Sequence, residues 1–237
     1  MPFFSIMVRS FLMRSFHPAA SLASAAAALA LSGCGMMGSG APPLPRPAEF
    51  TALGLTAGYL NADIIGGRHA RAAKMRAARI RPLAPAEAPA TMQRLEQELR
   101  VQTAGIGVDV LNMPDGLLIR IPASFTFDSN SSVLRPEFDA TLLELTRTLK
   151  LYGSTYVDVL AHTDTSGSAD YNAALSQKRA AAVAAYLAGH GVARARLASK
   201  GLGKGAPLYN PEADETQRAA NRRVELRVIP FRSTDLR

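Results

Sequence analysis

Apolar positions recur with two different periods between residues 90 and 230. Met92, Leu95 and Leu99 share one face of Ala90–Arg100, a run of good helix formers, which predicts a short amphipathic helix leading into a domain. Val108 to Leu111 and Leu117 to Ile121 read as strands, and Met113-Pro114-Asp115-Gly116 between them is a turn signal, so a hairpin is expected. Pro136 opens a second helix with Leu142, Leu145 and Leu149 on one side. Thr155 to Ala161 alternates and is rich in β formers. A third helix is expected over 175–187, where Leu175, Val183 and Leu187 form a stripe and Gly189-His190-Gly191 supplies the stop. Arg196 to Lys200 reads as a short strand and Gly201 to Gly205 as a turn. Arg223 to Ile229 is an alternating strand. Together these elements predict one α/β domain, a mixed sheet with helices packed on one face.

The first 89 residues follow neither period. Arg9 and Arg14 precede an apolar, alanine-rich run ending at Leu31-Ser32-Gly33-Cys34, the pattern of a secretory signal at residues 1–33. Its last residues resemble a bacterial lipobox, which makes Cys34 the expected lipidation site and new N-terminus. Cys34 is the only cysteine, so no disulfide forms within the chain. Several acyl chains on one residue give firm attachment without a membrane span, and Gly35 after the lipidated residue points to the outer membrane. Residues 34–89 are expected to be a lipid-anchored linker. It is rich in Gly, Ser and Pro at first, is weakly helical or irregular over 50–67, and is closed by Pro82, Pro85 and Pro89. Residues 90–112 then form the lead-in helix and strand, 113–230 the main domain and 231–237 a tail.

Charge adds one feature to the linker. The net charge of +8 falls to about +6 once residues 1–33, with Arg9 and Arg14 and no acid, are removed. Much of the excess lies in a basic segment over 68–81 with no acidic residue. Nucleic acid is not an expected partner of a secreted lipoprotein. Anionic lipid headgroups, the envelope polymer or plain solvent remain open as its surroundings.

Arg179 lies on the line of Leu175, Val183 and Leu187, where an unpaired guanidinium would be costly. Asp164, in the polar loop before that helix, either neutralises it directly or shares with it a ligand carrying both an ammonium and a carboxylate. His162-Thr163-Asp164-Thr165-Ser166 holds the side chains of a hydrolase triad, but five neighbours in one loop do not converge as nucleophile, base and orienter, and no nucleophile elbow surrounds Ser166. No metal-ligand spacing accompanies His162, and Gly201-Leu202-Gly203-Lys204-Gly205 lacks the Walker Ser or Thr. Neither metal, cofactor nor catalysis is expected. In the last strand Arg223, Glu225 and Arg227 alternate with Val224, Leu226 and Val228, which predicts that they face solvent; Arg222, of the other parity, is free to join Arg179 in holding carboxylates.

Phe127-Asp128-Ser129-Asn130, Ala161-His162-Thr163-Asp164-x-x-Gly167, Tyr171-Asn172-x-x-Leu175-Ser176-x-x-Arg179-Ala180, Gly201-x-Gly203, Pro207 and Asn221-Arg222-Arg223-Val224-Glu225 together resemble the OmpA-like C-terminal domain. With the lipobox and Leu111-Asn112-Met113-Pro114, the whole chain resembles lipoproteins of the YiaD type. Ala161 stands where that family often has Gly. The resemblance implies noncovalent peptidoglycan binding through the free end of meso-diaminopimelate. Asp164 would then accept from the ligand ammonium and Arg179 pair with its carboxylate. Asn130, Asn172 and Arg222 would orient the ligand, and the loop from Thr163 to Ser166 would add donors. The expected protein is a lipid-anchored tether between outer membrane and wall, its domain facing the periplasm. The alternative is a subunit or assembly factor of a larger envelope complex, with protein partners along residues 50–100.

Overall fold

The computed structural model describes residues 63–237; the signal sequence, Cys34 and the proline-rich tether expected from the sequence lie outside the described residues. No helix among the described residues is long and apolar enough to cross a membrane.

Five strands form one mixed sheet: β1 (Asp109–Met113), β2 (Gly116–Pro122), β3 (Thr155–His162), β4 (Leu197–Gly203) and β5 (Arg223–Pro230), in the order β1-β2-β5-β3-β4. Strands β1/β2, β2/β5 and β5/β3 pair antiparallel. β4 lies parallel to β3 at one edge, which requires the long crossover supplied by the helix between them. Val110, Ile119, Ile121, Val157, Val159, Val224 and Leu226 point from alternate positions into one core. Against them pack α2 (Ala88–Thr103) through Leu95 and Leu99, α3 (Asp139–Leu151) through Leu142, Leu145 and Leu149, and α4 (Ala169–Gly189) through Ala180, Val183 and Leu187. The hairpin, the helix faces and the mixed sheet are as the periodicity predicts. α4 starts earlier than its apolar stripe does, because Ser168 caps it by accepting from the backbone N–H of Tyr171 at 3.2 Å. A Cβ on Gly201 would stand 2.2 Å from the backbone nitrogen of Gln177, so this glycine lets α4 sit directly on β4. The expected turn at Gly201 is therefore the end of a strand.

The opposite face of the sheet corrects two expectations. Arg223, Glu225 and Arg227, predicted to face solvent, are buried at 0%, 0% and 7% exposure. Alternation places them on the second face, but it cannot distinguish solvent from an opposing charge. Register sets Arg120 beside Glu225 and Asp158 beside Arg227 on neighbouring strands. Glu225 is paired with Arg223 at 2.8 Å, His162 at 3.4 Å and Arg120 at 3.5 Å. Residues 204–221 cover this half, with Leu208 and Ala220 packed on Leu111 and Leu118.

The basic segment 68–81, expected as linker, covers the other half. α1 (Arg68–Ala77) packs through Ala72 and Met75, with Ile64, on Tyr156, Ile229 and Phe231. Arg71, only 3% exposed, donates to Asp158 at 2.8 Å and to the Ile65 carbonyl at 3.0 Å. Asp158 also accepts from Arg227 at 3.0 Å and from the Ile65 N–H at 2.8 Å. Leu83 then runs beside the expected tail: its N–H donates to the Phe231 carbonyl at 2.8 Å, and its carbonyl accepts from Ser233 at 2.9 Å. Residues 63–89 and 231–237 are thus built into the domain, as are the lead-in helix and strand over 90–112. The sign of this packing in the sequence is short: Ile64, Ala72 and Met75 are few apolar positions among many cations.

His162 makes the second face sensitive to acid. Burial, reinforced by the neighbouring Arg223, pushes its imidazole down to about 4. Burial pushes Glu225 up, but Arg223, His162 and Arg120 outweigh it and hold this carboxyl well below the usual glutamate range. A histidine kept neutral by the fold binds fewer protons than its unfolded counterpart between about 4 and 6.5, so its stabilisation is complete above 6.5 and is lost as pH falls toward 4. Urea unfolding at pH 7.5, 6.5 and 5.5 should show stability falling at up to about 1.4 kcal/mol per pH unit below 6.5. His162→Gln should flatten that slope; equal slopes in both chains would exclude this source.

Candidate ligand-binding site

Beyond the end of β3 the chain turns through Thr163 to Gly167 and enters α4. The turn is held from every side. The Thr163 N–H donates to the Gly203 carbonyl at 3.0 Å, and Thr165 donates its N–H and hydroxyl to Glu212 at 2.9 and 2.8 Å. Lys204 Nζ donates to the Gly167 carbonyl at 2.9 Å, and Asn172 Nδ2 to the Ser166 carbonyl at 2.5 Å. Within the turn Asp164 Oδ1 accepts from both the N–H and the hydroxyl of Ser166. Its Oδ2 accepts from Arg222 Nη1 at 2.7 Å. Arg222, at the C-cap of α5 (Glu215–Asn221), is itself held by Glu215.

Arg179 is held by different groups. Its Nε donates to the Ser131 carbonyl at 2.7 Å and its Nη2 to the Asp128 carbonyl at 3.2 Å, while the guanidinium carbon lies 5.1 Å from the centre of the Phe127 ring. Among the described residues no carboxylate forms an ion pair with it, and its Nη1 donates no hydrogen bond to them. The loop it grips includes Asn130, whose φ of 56° is the left-handed conformation that asparagine tolerates.

The seven candidate residues Asn130, Thr163, Asp164, Ser166, Asn172, Arg179 and Arg222 all line one cleft of about 620 Å³, together with Phe127, Tyr171 and Glu215. Of the two arrangements left open for Asp164 and Arg179, direct pairing is not the one adopted: the countercharge of Asp164 is Arg222. Burial pushes the Asp164 carboxyl up, but hydrogen bonds from Ser166 and Arg222 outweigh it and hold it below the usual aspartate range. Burial lowers the Arg179 guanidinium from its ordinary value, a change that leaves arginine cationic near neutral pH. The cleft therefore offers an anion and a cation, each oriented by other groups.

Sequence reasoning misses the supports: Glu212, Lys204 and Glu215. Asp214, which caps α5 by accepting from the Gln217 N–H at 2.9 Å, is the local pattern that would have located that helix, and with it Glu215. Glu212 and Lys204 lie in irregular chain and carry no such pattern.

This geometry belongs with a known sequence pattern. The OmpA family pattern matches residues 126–222, the stretch that carries all seven candidate residues. The peptidoglycan-associated lipoprotein of Pseudomonas aeruginosa is 38% identical over 116 residues, 49% of this chain and 68% of that one. The chain belongs to the OmpA family. It is also 38% identical over 136 residues to the probable lipoprotein YiaD of Escherichia coli, a match that covers 57% of this chain and 62% of YiaD, less than two thirds of its length. Among solved structures, the cell wall anchor of the T6SS from Pseudomonas aeruginosa is 28% identical, with a TM-score of 0.50 over 59% of this chain and 99% of the anchor. A putative MotB-like protein from Desulfovibrio vulgaris shares the fold with a TM-score of 0.55 at 24% identity, covering 61% of this chain and 97% of that one.

Proposed function

We propose that this OmpA-family chain binds peptidoglycan noncovalently by gripping the free end of meso-diaminopimelate in the stem peptide. Lipid-anchored at Cys34 in the outer membrane with its domain in the periplasm, it ties membrane to wall. The observation that carries this reading is that Arg179 and Asp164 line one cleft without neutralising each other. A salt bridge serving only the fold would join the two. A zwitterionic amino-acid head needs the opposite: a guanidinium for the carboxylate and a carboxylate for the ammonium, each held in place beforehand. Asn130 and Asn172 add neutral polar groups to the lining, and the names of the wall-associated relatives point to the same polymer.

The test is chemical discrimination on the wall itself. Lysine in the stem peptide presents the ammonium without the carboxylate, so it leaves Arg179 unanswered. Purified protein should co-sediment with sacculi whose stem peptides carry diaminopimelate, be displaced by free diaminopimelate, and stay in solution with lysine-type walls. Equal retention on both wall types would overturn the diaminopimelate reading.

A further inference from the structure

We propose that the outward face of α1 is a docking surface for anionic lipid headgroups, which lays this end of the domain on the membrane. The inference rests on the reading of the chain as lipid-anchored and adds a second, electrostatic contact to it.

Three observations carry it. First, burial of Arg71, Ala72 and Met75 fixes the rotation of α1 and leaves His69, Lys74 and Arg76 exposed, with Arg79 just beyond its end. Arg194, on a 3-10 turn that packs against α1, is exposed as well. Lys74, Arg76, Arg79 and Arg194 form no ion pair among the described residues. After Asp63 the next acidic residue in the chain is Glu87, which is paired with Arg81.

Second, a groove of about 480 Å³ runs between α1 and the C-terminal turn, with Ala72, Ala73, Ala77 and Leu236 forming an apolar wall beside His69 and Arg76. Asp235, also on its lining, has a carboxylate already engaged by Arg68, the Tyr156 hydroxyl and the Arg232 N–H. Cations flanking a small apolar trough match an amphiphile, whose phosphate meets the charges while glycerol and the first methylenes meet the alanines. The lining contains no Phe, Tyr or Trp ring on which a sugar or a base would stack.

Third, α1 is the first described helix after Cys34, and 28 residues separate that cysteine from Asp63. Fully extended, a chain of 28 residues spans at most about 100 Å, so α1 is the described helix tethered most closely along the chain to that cysteine. The cationic face is thus the first part of the described domain to follow the anchor along the chain. A few lysines and arginines near an anionic surface bind weakly alone and usefully beside an acyl anchor.

Residues 35–237 retain every described element and all three clusters of buried apolar residues, and they allow the contact to be measured without the anchor. Their partition into phosphatidylcholine vesicles with about 30% phosphatidylglycerol at about 0.1 M salt should exceed that into pure phosphatidylcholine by at least about tenfold, and should be lost near 0.5 M. Lys74→Gln/Arg76→Gln/Arg79→Gln should remove the excess while changing the urea midpoint little and leaving sacculus retention unchanged, since these side chains are exposed and no anion is placed at the helix C-terminus. Asp164→Asn should do the reverse, losing the wall and keeping the vesicles, which separates failure of this surface from failure of the cleft. Vesicle binding by the triple variant equal to that of the unmodified chain would overturn the proposal. So would a triple variant that keeps its vesicle binding and loses the sacculus, which would make the face a polymer site.

Discussion

Arg179→Ala is expected to lower retention on diaminopimelate-type sacculi by about 10- to 150-fold, the equivalent of one charge-assisted contact of roughly 1.5–3 kcal/mol. The guanidinium has two tasks. Nε and Nη2 hold the carbonyls of Ser131 and Asp128 and so set the loop that carries Asn130, and the remaining donors face the cleft. Alanine removes both functions and costs an additional ~1–3 kcal/mol of stability through two lost hydrogen bonds and the contact with Phe127. Arg179→Lys separates the tasks: an ammonium keeps the charge but lacks the planar fork that spans two carbonyls and a carboxylate. It should retain more binding than alanine and less than arginine. Asp164→Asn is the sharper variant on the other side, since its amide oxygen still accepts from Ser166 while the charge that attracts the ammonium is gone. Co-sedimentation should fall by at least about tenfold, and the lost countercharge of Arg222, which Glu215 still holds, should cost about 1–2 kcal/mol in unfolding. Folded variants at both positions that pellet like the unmodified chain would exclude this cleft as the wall site.

Why the seven residues were legible while their arrangement was not follows from the range of each signal. Leu142, Leu145 and Leu149, or Val157 and Val159, reveal their face because one neighbouring layer buries them all, and a period is a local property. Asn130, Asp164, Arg179 and Arg222 were gathered by an ordered family pattern, and they do line one cleft. What no local rule reports is which charge answers which. Asp164 finds Arg222 across 58 residues of chain, and Arg179 is satisfied by main-chain carbonyls, which have no signature in the side-chain order. The same blindness explains Arg223, Glu225 and Arg227. Their alternation identifies a face, and only strand register shows that Arg120 and Asp158 stand opposite them. Parallel β4 is a further case: its direction is set by the α4 crossover.

Asp158→Ala is expected to be strongly destabilising, by about 3–5 kcal/mol. Asp158 is fully buried and accepts from Arg71, Arg227 and the Ile65 N–H. Its loss leaves two guanidinium groups inside the protein without their shared anion, a larger penalty than the interaction itself was worth. With an m-value near 2 kcal/mol/M for a domain of this size, the urea midpoint should fall by about 1.5–2.5 M. Arg71→Met tests the same network from the helix side. It removes one cation, fills most of the space and leaves Asp158 paired with Arg227, so the cost should be smaller. The two variants should also differ in what they release. Without Asp158 the segment from Asp63 to Leu83 loses its buried ion pair with β3 but keeps the contacts of Ile64, Ala72 and Met75 with Tyr156, Ile229 and Phe231, the Arg68 pairs with Asp115 and Asp235, and the Leu83 backbone bonds to Phe231 and Ser233. Amide exchange in α1 should then rise well above that of the sheet. If α1 exchanges no faster in Asp158→Ala than in the unmodified chain, the remaining contacts are enough to hold it, and the Asp158 network serves the sheet rather than the strap across it.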